Sequence, residues 1–142
     1  MKLELKHLAA YFSYELEYKN NYNDTCKLVN IQNINDGSNV NLTGFHGGLS
    51  ISEIKPILRS LDDLFFNLSI ENESQKPFEY LEDFADTEIE RMFLDIIENK
   101  NSKFILEKIQ YAPFSFIQKL LEWHFDIFGL IDAKLAVDIN CL

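Results

Sequence analysis

Three histidines, His7, His46 and His124, are the side chains of this sequence best placed to move protons or hold a metal near neutral pH. A zinc site needs ligands at short fixed spacings, and the histidines stand in no HxxxH, HxxE or CxxC relationship. Nucleophilic catalysis needs a serine or cysteine beside a base, and no local motif marks one; a triad assembled from distant residues stays open. His124 lies in the apolar stretch LLEWHFDIFGLIDAKLAVDINCL, residues 120–142, beside the single tryptophan, Trp123. On a helix Asp126, two residues on, falls on another face and cannot pair with it. The neighbouring carboxylates Asp62-Asp63 and Glu82-Asp83 would diverge by about 100° on a helix, an arrangement that solvates a surface rather than sharing a proton. GFHGG at 44–48 holds three of the five glycines but lacks the Lys-Ser/Thr of a phosphate loop. It reads as a turn or bulge. The expectation is no catalytic residue, no cofactor and no metal.

The elements that would carry these residues change character along the chain. Leu3 and Leu5 alternate with Lys2, Glu4 and Lys6, as do Tyr14, Leu16 and Tyr18 with Glu15, Glu17 and Lys19. Cys26, Leu28 and Asn30 interleave with Lys27, Val29 and Ile31. A period of two predicts strands. Turn chemistry at 20–24 and at 33–39, with Asp36-Gly37, predicts antiparallel pairing, because the connections are too short for helical crossovers. Pro56 favours extended backbone at Lys55. Ser60 then opens a helix whose face is Leu61, Leu64, Phe65 and Leu68, and residues 71–82 read as a surface connection.

Two further helices follow. Thr87 and Glu90 form a capping-box pair ahead of Ile89, Met92, Phe93, Ile96 and Ile97, which would make one buried stripe. FILEKIQY at 104–111 fits strand or helix. From Pro113 to a Gly129 cap, Phe116, Ile117, Leu120, Leu121, His124, Phe125 and Phe128 make an apolar face. Ser115, Gln118, Lys119, Glu122 and Asp126 face water, and Trp123 sits at the boundary. The terminal stretch therefore reads as core, with His124 hydrogen-bonded inside it. The expected architecture is a single α+β domain over 1–142: an N-terminal antiparallel β-sheet with C-terminal helices packed on one face.

At 142 residues and 46% hydrophobic, the chain can bury about 70% of its unfolded surface without metal or disulfides. It shows no signal-peptide core and no long apolar span, and its cysteines, Cys26 and Cys141, are far apart. The expected location is the cytoplasm, with no membrane contact. The net charge of -10 is uneven, because residues 61–98 carry twelve carboxylates against Lys76 and Arg91 while the segments on either side sum to zero. Such a segment attracts basic partners and repels bare nucleic acid over about 8–10 Å. The absence of a basic stripe disfavours direct nucleic-acid binding. The acidic segment is either a solvated face or a docking surface, with Glu82, Asp83, Asp86, Glu88 and Glu90 as its contacts. The competing reading is an RNA- or apolar-partner-binding sheet using Tyr11, Phe12, Tyr14 and Tyr18, and a structural homodimer is also open.

Three blocks carry a likeness: KLELKHLAAYF at 2–12, IKPILRSLDDL at 54–64 and LLEWHFDIFGLIDAKLAVDIN at 120–140. Together they resemble a family of small acidic proteins encoded by bacteriophages and prophages. Ala10 stands where that family has proline, and Lys134 where it has glycine. The resemblance transfers no active-site residue. It implies a mobile-element setting in the host cytoplasm, where proteins of this kind act as host-takeover or anti-defence factors, anti-CRISPR inhibitors among them. Together with the acidic segment, this setting makes the expected partner a host protein or nucleoprotein with a basic groove.

Overall fold

Period-two runs of apolar and polar residues between turn-forming clusters build the sheet of this α+β protein. A computed structural model describes the backbone of residues 1–34, 37–42, 48–70 and 72–142, with side chains outside 29–49 and 70–71. The GFHGG glycine stretch and His46 fall almost wholly outside the described residues. The chain divides into two compact units: residues 1–59 with 121–142, and residues 60–120.

The first unit holds α1 (Leu5–Tyr11) and the strands β1 (Glu17–Lys19), β2 (Thr25–Ile34), β3 (Gly37–Leu42), β4 (Gly48–Ser50) and β5 (Lys55–Leu58). The C-terminal β8 (Val137–Asp138) completes a sheet of order β4-β3-β2-β1-β5-β8. Antiparallel register joins Tyr18 to Cys26 and, on the other side, to Pro56. Ile34 pairs with Gly37 in antiparallel register, and Asp36 of the expected Asp-Gly turn lies outside the described residues. Tyr18, Cys26 and Leu28 are buried while Glu17 and Lys27 are exposed, as a half-buried sheet requires. These side chains meet Leu8, Tyr11, Leu16, Ile54, Leu58, Leu130 and Ala136 in one core. Each large apolar side chain removed from water there contributes about 1.5–3 kcal/mol.

Three strand expectations fail in this unit. The alternation from Tyr14 makes strand only at Glu17–Lys19, because Phe12–Tyr14 form a 3-10 turn and Glu15 is left-handed. The alternation at 2–6 does not make a strand. The chain turns helical at Leu5 because His7, Leu8 and Tyr11 then share one buried face. The sheet is also not wholly antiparallel, since β8 runs parallel to β5, pairing Ile57 with Val137. A strand supplied from 80 residues away is free of hairpin constraints, so local turn chemistry could not foretell its direction. Ala10 lies inside α1, where a proline would remove an N–H and crowd the carbonyl of Lys6. Lys134 adopts φ 61°, the left-handed conformation that a glycine holds without a steric cost.

The second unit is mainly helical: α2 (Pro77–Phe84), α3 (Glu88–Ile97), α4 (Ser102–Lys108) and α5 (Phe114–Glu122), the last two residues of α5 belonging to the first unit. A small hairpin, β6 (Leu68–Ile70) with β7 (Glu73–Gln75), precedes them. Its interior gathers aromatic rings, with Phe65 against Phe78 at 5.3 Å and Phe93 against Phe116 at 6.1 Å. The helix expected from Ser60 is only a 3-10 turn, Leu61–Phe65. Asp62 leaves that turn to accept the Ser102 N–H at 2.7 Å, capping α4 together with Asn101. The stretch read as a connection at 71–82 instead forms β7 and most of α2, with Pro77 at the first helical position, where its missing N–H costs nothing. FILEKIQY resolves as α4 running into a 3-10 turn.

Helix α3 begins at the expected capping box but buries a different stripe. Glu90, Phe93, Leu94 and Ile97 face inward, whereas Ile89, Met92 and Ile96 face water. The capping box explains the rotation. Glu90 reaches back to accept from the Thr87 N–H at 3.1 Å and the Thr87 hydroxyl at 2.8 Å. Its other oxygen takes the Ser115 hydroxyl at 3.0 Å. Pinned to two partners at once, Glu90 turns its own flank of the helix inward. Thr87→Ala removes the acceptor for the Glu90 N–H and should destabilise the chain by about 1 kcal/mol in urea denaturation.

Candidate functional site

The terminal block that carries Trp123 and His124 is tied into the fold by hydrogen bonds to backbone groups. The expected helix through residue 128 stops at Glu122, because His124 adopts φ 63°, a left-handed conformation in which histidine is enriched. The chain then runs beside β5. The Arg59 N–H donates to the His124 carbonyl, and the Asp126 N–H donates to the Arg59 carbonyl, both at 2.8 Å. Tyr11, fully buried, donates its hydroxyl to the Phe125 carbonyl at 2.6 Å and accepts from the Ile127 N–H at 3.3 Å. The His124 ring reaches across to the Tyr14 carbonyl through Nε2, which therefore carries the proton. Trp123 is half-buried with its ring edge-on to Phe125.

Asp126 was expected to face water and is buried instead. Its two oxygens accept the Leu130 and Ile131 N–H groups at 2.8 Å each, so it closes the turn that follows the block. Burial pushes its carboxyl above the ordinary value, against the lowering effect of those amides. His7 is buried nearby with its ring 4.9 Å from that of Phe128. Its Nδ1 accepts the Glu4 N–H at 3.0 Å, at the start of α1. Burial holds the pKa of both His7 and His124 below the ordinary value. To accept through Nδ1 the His7 ring must leave that nitrogen unprotonated. Among the described residues, no three His, Cys, Asp or Glu side chains gather where they could hold a metal ion.

The aromatic residues proposed for a binding sheet are divided. Tyr11 and Tyr18 are fully buried, so they cannot touch a ligand, while Phe12 is exposed at its margin and Tyr14 is half-buried. That removes half of the platform. The physical reason is that Tyr18 points to the core side of β1 while Tyr11 completes the inward face of α1.

Part of the acidic segment of the second unit gathers around Glu82, with Asp83 the one other predicted contact residue that acts on it. Glu82, Asp83, Asp86 and Glu88 are exposed. Glu79, Glu82 and Asp83 share a face of α2 by their i, i+3, i+4 spacing. The carboxyl of Glu82 is pushed above its ordinary value, first by partial burial, then by Glu98, Glu79, Asp83 and Asp95. Two helices therefore contribute to one field, and Glu79, Asp95 and Glu98 join it although sequence reasoning passed them over. Helical spacing marks Glu79 with Glu82; only packing brings Asp95 and Glu98 beside them. Glu90 does not belong to this surface. It is buried, and its bonds to Thr87 above all hold its carboxyl below the ordinary value. The capping box legible in the sequence already assigned that carboxylate to the helix start.

Two measurements check the terminal block. Asp126→Asn cannot accept both amides and should cost about 1–3 kcal/mol in chemical denaturation. For His124, a folded pKa below the unfolded value of about 6.5 means the unfolded chain binds the proton more readily. Its contribution is therefore complete above about pH 6.5 and declines as pH falls towards the folded value. The stability difference between wild type and His124→Asn, which tolerates the same backbone, should shrink on acidification through that window. No known family model, curated protein or solved structure matches this chain, so the reading of its surface rests on its own geometry.

Proposed function

We propose that this chain is a non-enzymatic phage or prophage accessory protein that binds and inhibits a host factor through the acidic face of α2 and α3. The observation that carries the reading is the crowding of like charge around Glu82, where Glu98, Glu79, Asp83 and Asp95 add to the effect of burial in raising its pKa. Self-repulsion of that kind costs stability in the free protein and is relieved by a cationic partner. The histidines support a binding role from the other direction, since His7 and His124 already serve backbone groups.

A basic groove that ordinarily holds nucleic acid is the matching surface. Carboxylates on two packed helices can lie along lysines and arginines much as phosphates do, with association steered by charge. In the setting that the phage resemblance implies, the most concrete target is an RNA-guided nuclease in the host cytoplasm. Among the described residues no helix is long and apolar enough to cross a membrane.

The test is competition on purified nuclease. The wild-type chain should block binding of guide RNA or target DNA, and the block should weaken steeply as salt rises. Lysine substitutions at Glu82, Asp83, Asp86 and Glu88 should abolish it with no fall in melting temperature. Glu90 is left untouched because its replacement would disturb α3 itself. Inhibition that survives the four reversals, or that ignores salt, would overturn the reading.

A further inference from the structure

The exposed side of α3 is not a uniformly polar surface. Ile89, Met92 and Ile96 are 70%, 56% and 46% exposed, although the same helix has a separate stripe for the core. Their i, i+3, i+7 spacing places them within an arc of about 60°, along about 10 Å of helix. Glu88 and Asp95, both exposed, fall on the next strip of the same surface. Beyond them, Asp95 and Glu98 stand close enough to α2 to act on Glu82. The feature is an apolar ridge, two helical turns long, with a net negative margin along one side, where Glu88, Asp95 and Glu98 outnumber the exposed Arg91.

We infer that this ridge docks a basic amphipathic helix of another protein, the apolar residues making the contact and the margin selecting lysine and arginine. The inference rests on the binding role proposed above and names the kind of partner segment that fits. The length matches two turns of a partner helix carrying apolar residues at i, i+3 or i+4, and i+7. Methionine at the centre suits such a contact, because its flexible thioether adapts to different side chains. The charge margin decides among occupants. A second copy of this chain would bring the same carboxylates against one another, and an anionic membrane or a nucleic acid would meet like charge. A cationic helix alone satisfies both halves of the surface. Desolvated apolar contacts at the centre would carry affinity, and the exposed charges at the edge would set the association rate.

The experiment uses the full chain and three labelled peptides followed by fluorescence anisotropy at low and high salt. One is a leucine-lysine helix with its leucines on one face, the second is the same composition scrambled, and the third replaces lysine with glutamate. The amphipathic lysine peptide should bind best, and the glutamate peptide should not bind. The variant Ile89→Ser/Met92→Ser/Ile96→Ser should weaken binding of the lysine peptide by more than about tenfold while keeping its salt dependence. Met92→Gln alone serves as the milder variant should the triple change lower the melting temperature. Equal binding of scrambled and amphipathic peptides would overturn the role of the ridge and leave the acidic face as the docking surface. Failure of every cationic peptide to bind would overturn both. Self-association in sedimentation that the triple serine variant abolishes would assign the ridge to a second copy and overturn the inference.

Discussion

Two backbone hydrogen bonds hold the first unit together at its most demanding point. Residues 60–120 leave and re-enter that unit between Arg59 and Leu121. The Arg59 N–H and C=O are bonded to His124 and Asp126, which pins the two ends of the excursion side by side. Closing a long loop costs entropy only slowly with length, so a short bridge supported by packing can secure a large insertion. The support is visible around it. Tyr11 takes the Phe125 carbonyl, His124 takes Tyr14, and Asp126 closes the turn to Leu130 and Ile131. With that return fixed, β8 can lie beside β5 and finish the sheet.

This arrangement separates two kinds of conspicuous polar residue. Those in the terminal block, His124 and Asp126 above all, look chemical in sequence because apolar surroundings rarely tolerate them without purpose. Their purpose is backbone satisfaction, since a buried N–H or C=O without a partner costs about 1–3 kcal/mol. The residues of the acidic segment look like ordinary solvated charge, yet the packing of α2 and α3 sets Glu79, Asp83, Asp95 and Glu98 close enough to act on Glu82. The conspicuous polar residues of the terminal block bond backbone groups, and the surface carboxylates carry the functional proposal.

Helix α3 shows why the side of a helix is harder to read than its start. The Thr87–Glu90 box is a local device, decided by hydrogen bonds within one turn, and it was legible from residue order. Which apolar residues face inward depends on neighbours supplied by other elements. Ser115 and the aromatic rings of α5 draw Glu90 and Phe93 in and leave Ile89, Met92 and Ile96 out. A helix with apolar residues on more than half its circumference has two candidate faces, and periodicity does not choose between them.

Local chemistry in the sequence alone determined the α+β class, the period-two alternation of β1 and β2, the capping-box start of α3, and the concentration of negative charge in one segment. Each depends on residues within a turn or a strand of one another. Tertiary structure alone decided what distant segments do to one another. It made α1 a helix by giving Leu8 and Tyr11 a common core. It halted the last helix at His124, set β8 parallel to β5, and buried Asp126 under the turn it caps. It also gathered Glu82 with Asp95 and Glu98. The physical reason is common to all of them: burial is a property of the surfaces that meet, and the partner surface for each of these residues lies elsewhere in the chain.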